Sequence, residues 1–215
     1  TSMDGATAMA SGESQWITGP KSRLDVQKLR ARSGAIITGV NTIIHDNPRM
    51  TVRQHDWSSR KDYEVKPPQV VIMDSQLRIP LGSKVLANPA QCQIMYVKGD
   101  ESKLFKLKAL GVRTSQFTMG SSGRGIDLEA VLQHLYQQDI YDVLVEAGPT
   151  LSGAFLQGRW VNEFWLYQAP IIMGSDTKPL VKTVNLKQMV DKIHLNILSR
   201  ELIGEDQRII AEVEA

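Results

Sequence analysis

The chain has 215 residues, 42% hydrophobic and 22% charged, with a formal net charge of +2 at pH 7. That composition excludes an intrinsically disordered chain, and no apolar run approaches the roughly 18 residues of a membrane-spanning helix. The small, scattered positive balance gives no stripe for nucleic acid, so an anionic ligand must be met by local arginines. A single cysteine, Cys92, excludes an internal disulfide and fits a reducing compartment, taken here as the cytoplasm. His45, His55, His134 and His194 lack zinc spacing, so no metal site is expected. The first residues show no basic region followed by an apolar block, as a secretory leader would.

Residues 1–12 read as the end of a strand, an Asp4-Gly5 turn and a short extended segment, because glycine takes positive φ without steric penalty. On local pattern Asp4 is a turn residue. Thr18-Gly19-Pro20 announces a helix to about Arg32, with Thr18 as cap and Pro20 in the first turn. Leu24 and Leu29 mark its apolar stripe, and Arg30 falls on its basic, solvated face. Ala35–Val40 is a compact apolar run suited to a buried parallel strand, followed by a short helix over Asn41–Asp46. After an Asn47-Pro48 turn and an extended piece to Arg53, residues 54–68 read as a polar surface loop. Gln69–Asp74, Gln93–Val97 and a weaker Gly111–Ser115 supply further strands, with a helix over Ser102–Leu110. Gly120–Gly125 reads as a loop and not a phosphate cradle, since no Gly-Lys-Ser/Thr ending follows. Asp127 caps a helix with Val131, Leu132 and Leu135 on one face, which leaves His134 at the surface.

That helix leads to a short strand over 142–146, and Gly148-Pro149-Thr150 then turns into an amphipathic helix. Unpaired N–H groups at such a helix start favour a phosphate. Gly148 and Gly153 have two readings, close ligand approach and tight strand–helix packing, and the pattern leaves them level. Phe164–Ala169 reads as a strand, and an irregular region runs to about Lys192. His194–Leu202 and Gln207–Val213 form an antiparallel hairpin around Gly204. The expected fold class is α/β, a mostly parallel central sheet flanked by helices with a C-terminal antiparallel hairpin, in one domain over 1–215. In an open sheet of this kind ligands lie beyond the carboxyl ends of the strands, here Gly39–Asp46, Asp74-Ser75 and Glu146–Gly153. These small, hydroxylated and acidic stretches suit a phosphate-bearing nucleotide. No Ser-His-Asp order, Cys-His pair or metal-binding carboxylate cluster supports hydrolysis, whereas hydride transfer needs none, because a cofactor supplies the reactive atom.

Further motifs fall in order along the chain: Ser2-x-Asp4-Gly5, Ser11-Gly12-Glu13-Ser14-Gln15-Trp16-Ile17-Thr18, Gly39-x-x-Thr42-x-x-x-Asp46-x-Pro48-x-Met50-x-x-Arg53, Asp74-Ser75 and Glu146-Ala147-Gly148-Pro149-Thr150-Leu151. Together they resemble the C-terminal reductase domain family of the bacterial bifunctional riboflavin biosynthesis proteins, RibD, whose fold is dihydrofolate-reductase-like. The resemblance implies NADPH-dependent reduction of 5-amino-6-(5-phosphoribosylamino)uracil to its ribitylamino counterpart. It implies that Ser14, Arg30, Met50, Arg53 and Glu146 hold the substrate, with the guanidinium forks of Arg30 and Arg53 at its phosphate. Trp16, Thr42, Asp46 and Ser75, with Gly148, Pro149, Thr150, Leu151, Ser152, Gly153 and Ala154, would hold the cofactor.

Glu146 and Asp4 are the catalytic candidates, Glu146 either bonding the ribose hydroxyls or assisting proton transfer. Asp74 at a strand end would favour NAD in a Rossmann protein, so NADPH rests on the resemblance. The same resemblance places a lysine and a zinc deaminase domain upstream of Thr1, with the first strand truncated here. It also implies a homodimer, for which Phe164–Met173 and the C-terminal hairpin offer an apolar surface. Two alternatives stand beside this reading. One is a pterin or folate reductase on the same fold, which would leave the two arginines without a phosphate. The other is a nucleotide-binding module without catalysis.

Overall fold

Strand and helix boundaries follow the local chemistry closely. The computed structural model describes residues 1–53, 66–120, 123, 125–184 and 186–214, so most of the loop expected over 54–68 lies outside the described residues. So do Ser121, Ser122 and Arg124 of the Gly120–Gly125 connection. Gly5, at φ +82, turns the chain into β1 (Ala6–Met9), and α1 spans Pro20–Arg32. β2 (Ala35–Gly39) runs directly into α2 (Val40–Asp46). β3 (Gln69–Met73), β4 (Cys92–Tyr96), α3 (Glu101–Ala109) and β5 (Arg113–Gln116) follow. Then come α4 (Leu128–Tyr136), β6 (Val143–Val145), α5 (Pro149–Gln157) and β7 (Glu163–Gln168). β8 (Thr177–Pro179), β9 (Leu195–Ile203) and β10 (Asp206–Val213) complete the chain. These elements divide into two units, Gln27–Gly148 on the one hand and Thr1–Val26 with Pro149–Ala215 on the other.

The Gln27–Gly148 unit holds a five-stranded sheet in the order β5-β4-β3-β2-β6, parallel throughout. Side chains alternate across a strand, so Ile36, Ile72 and Ile94 share one face. They are fully buried there in a core that includes Ile43 of α2 and Leu107 of α3. Cys92 belongs to this core; its thiol donates to the Val85 carbonyl at 3.0 Å, and burial raises its pKa to about 11. Asp127 caps α4 as expected, accepting from the Ala130 N–H at 3.1 Å. His134 departs from its expected surface position: it is half-buried, 3.0 Å from the Gln93 amide nitrogen, with its ring edge-on to Phe117. Burial, then the nearby Arg113 charge, lowers its pKa.

The other unit contains a three-stranded antiparallel sheet, β7-β10-β9, and a separate β1-β8 pair. The expected hairpin is β9-β10, with Gly204 at φ +73, and β7 joins it edge to edge. β8 was not expected; Thr177-Lys178-Pro179 has no alternation, and only pairing with β1 makes it a strand. Nor does Thr18 cap α1. The buried Asp206 carboxylate accepts from the Gly19 N–H at 2.8 Å and from the Ser22 hydroxyl at 2.5 Å, while Thr18 gives its carbonyl to Arg23. One turn on, Asp25 accepts from the Tyr167 hydroxyl and from Arg208, whose other arm meets Glu201. Burial, then the bond to Asp25, pushes the Tyr167 phenol far above its ordinary range. Among the described residues no helix is long and apolar enough to cross a membrane, and no cluster of His, Cys, Asp or Glu could hold a metal ion.

Candidate functional site

In the parallel sheet, β3, β2 and β6 are neighbours, and the sequence after each carboxyl end carries polar residues. β2 delivers Thr42 and Asp46 on α2, four residues apart and so on one face of that helix. β3 delivers Asp74 and Ser75. β6 delivers Glu146, whose N–H extends the ladder to the Ile37 carbonyl at 2.9 Å. That is the edge at which open parallel sheets bind ligands.

Arg30, read as solvated, is instead half-buried and grips Glu146 with both arms. Its Nε donates to one carboxylate oxygen at 2.7 Å and its Nη2 to the other. The remaining nitrogen, Nη1, donates to the Thr51 carbonyl at 3.1 Å. With side chains 13% and 34% exposed, such a pair adds only about 0–1 kcal/mol of stability. Its value is orientation, because a bidentate fork fixes the carboxylate plane. Next to Thr51, Met50 has φ +52 and a buried side chain, a left-handed conformation that costs an L-residue roughly 1–2 kcal/mol. Asn47 (φ +43) is also left-handed, and its amide oxygen accepts the Lys84 N–H at 2.8 Å. The Arg53 N–H donates to the Gln27 side-chain oxygen at 3.0 Å, and the Arg53 side chain is exposed. Arg30, Met50, Arg53 and Glu146 are thereby gathered around one stretch of chain.

In the other unit, Ser14 and Trp16 lie in the loop after β1. Trp16 is 68% exposed, with the Arg23 guanidinium 4.4 Å from its ring centroid. Asp4 has other partners: its carboxylate accepts from the Met173 N–H and, at 2.7 Å, from the Gly174 N–H. A bond from Ser2, then the one from Gly174, lowers its pKa and holds it ionised. Pro149 opens α5 at its first position, where its missing N–H costs nothing. The two glycines of this turn separate. A Cβ on Gly153 would lie 2.2 Å from the Lys182 carbonyl oxygen, so packing requires that glycine. A Cβ on Gly148 would meet nothing within 4 Å. Packing does not explain Gly148, which leaves the backbone open to a ligand there.

Residues 1–208 match the family model described as the RibD C-terminal domain. The chain belongs to that family. The riboflavin biosynthesis protein RibD of Escherichia coli is 35% identical over 213 residues, covering 95% of this chain and 56% of that protein. A Buchnera aphidicola protein named 5-amino-6-(5-phosphoribosylamino)uracil reductase is 30% identical, covering 94% of this chain and 97% of its own length. The solved structure of Acinetobacter baumannii RibD, form 2, superposes with a TM-score of 0.85 at 36% identity, covering 99% of this chain and 55% of that one. The chain thus spans about half the length of most of the curated RibD relatives it matches.

Within this RibD-type domain Asp74 has a role that its place at a strand end conceals. It is fully buried, and one oxygen accepts the Ile79 N–H at 2.8 Å. A carboxylate turned inward cannot meet a ribose, so the argument for NAD from Asp74 fails. Sequence reading also missed Gln27 and Asp206, because a polar residue on a helix or in a turn is normally solvated. Gln27 left one trace: it stands three positions before Arg30 and so shares its helix face.

Proposed function

We propose that residues 1–215 form one reductase domain that reduces 5-amino-6-(5-phosphoribosylamino)uracil to the ribitylamino compound with NADPH. The observation that carries this reading is the Arg30–Glu146 fork, held against the Thr51 carbonyl at the ligand-binding edge of the parallel sheet. Opening the ribose leaves a carbon–nitrogen double bond at its first carbon. The carbon takes a hydride, the nitrogen takes a proton, and an amine results. NADPH supplies the hydride when bound.

The protein's part is alignment and exclusion of water. A carboxylate that already accepts two guanidinium N–H groups retains lone pairs for hydroxyl donors, so Glu146 orients the sugar as an acceptor. Arg53 meets the phosphate; Ser14 and Met50 complete the substrate contacts. For the cofactor, the open backbone at Gly148 and the inward turn of Asp74 support the fit, with Trp16, Thr42, Asp46, Ser75 and the turn through Ala154 as its holders. Leu195, Ile197, Leu198 and Leu202 are exposed along β9 and support assembly as a homodimer, which sedimentation at two concentrations would test.

The direct test follows NADPH oxidation with the phosphoribosylaminouracil, with dihydrofolate, and with neither. Turnover is expected with the first alone, and Glu146→Gln should lower kcat/KM about 100-fold. Turnover with dihydrofolate alone would overturn the assignment.

A further inference from the structure

Nothing in the chemistry of hydride transfer calls for Gln27. It is nevertheless only 4% exposed on α1, where a leucine would bury more favourably, and a buried amide persists only where it is hydrogen-bonded. Its oxygen accepts the Arg53 N–H at 3.0 Å. Three residues along the same helix face, Arg30 donates to the Thr51 carbonyl at 3.1 Å. Two adjacent side chains of α1 therefore grip the same extended segment, one by a carbonyl and one by an N–H, two residues apart. The grip acts immediately after Met50, whose left-handed backbone persists only where the surroundings over-determine it.

We infer that Gln27 is a positioning residue, which fixes the backbone of Arg53 and through it the substrate phosphate. The inference rests on the reductase reading above. Arg30 and Gln27 form a two-point clamp, in which Arg30 also fixes Glu146 while Gln27 serves the phosphate end alone. Removing the Gln27 acceptor leaves the Glu146 fork intact.

The test compares wild type, Gln27→Met, Gln27→Glu, Arg53→Ala and the Gln27→Met/Arg53→Ala double variant. Gln27→Met keeps the volume and loses the strong acceptor. It should raise the substrate KM about 5- to 10-fold, the effect of one lost hydrogen bond, and change kcat and the NADPH KM less than 2-fold. Gln27→Glu restores an acceptor and should return the KM to within about 3-fold of wild type. In the Arg53→Ala background Gln27→Met should add nothing further, since both changes act through one group. Amide exchange at Arg53 provides a readout independent of turnover, with protection expected in wild type and lost in Gln27→Met. Equal protection in both, an unchanged KM, or a kcat loss matching the KM rise would overturn the positioning role. Failure of wild type to use the phosphorylated substrate while the exchange difference persists would instead strike the reductase assignment and leave the clamp standing.

Discussion

The unit built on the parallel sheet buries aliphatic side chains in layers, Ile36, Ile72 and Ile94 on one face and Ile37 and Val71 on the other. The unit containing the antiparallel sheet buries mostly small residues, among them Ala6, Ala8, Ala169 and Ala211, with Phe155 its one large fully buried side chain among the described residues. What ties its pieces together is polar: Asp206 on the first turn of α1, and Asp25 between Tyr167 and Arg208. The two units reach stability by different physics. A continuous apolar layer is tolerant in detail and costly to puncture, whereas a polar anchor depends on a few atoms.

Four substitutions and one titration put that contrast under strain. Ile94→Ala, fully buried, should lower unfolding free energy by about 3–4 kcal/mol in a urea titration. Asp206→Ala should cost about 2–3 kcal/mol, because the Gly19 N–H and Ser22 hydroxyl lose their acceptor. A loss below roughly 0.5 kcal/mol would mean that apolar contacts hold that unit after all. Gly153→Ala should cost about 1–3 kcal/mol, since its Cβ would drive into the Lys182 backbone, while Gly148→Ala should stay within about 0.5 kcal/mol and weaken NADPH binding instead. The smallest effect is expected from His134 in the parallel-sheet unit. Its pKa is lowered on folding, so its neutral form contributes stability that is fully present above about pH 6.5 and is lost as pH falls through the window beneath. Comparing thermal midpoints of wild type and His134→Gln across that range should show the wild type losing more.

The parallel strands were legible because buried strands leave short, compact apolar runs, here Ile36-Ile37, Val70-Val71-Ile72-Met73 and Ile94-Met95-Tyr96, with only Thr38 and Gln93 as polar residues buried within the same strands. The Asp127 cap was legible for a similar reason, since donor and acceptor are three residues apart. Sequence alone could not reveal that Asp206 holds a helix 187 residues earlier, or that Pro179 pairs with Ala6. At the site, the residue types at the strand ends were readable, but their directions were not. Asp74 turns into the core, Arg30 turns out of the solvent towards Glu146, and Asp4 caps a distant loop backbone. Local pattern holds no information on any of these, because each depends on which segment folds against which.

Cys92 carries one practical consequence. Cys92 is 1% exposed and burial raises its thiol pKa to about 11, so the reactive thiolate is disfavoured and shielded at neutral pH. Maleimide labelling of the folded chain, read by mass spectrometry, should therefore leave Cys92 unmodified. A cysteine introduced at an open position such as Phe105, which is 74% exposed, would take a single fluorophore with Cys92 left in place. Ligand-dependent motion could then be followed by fluorescence without first disturbing the core.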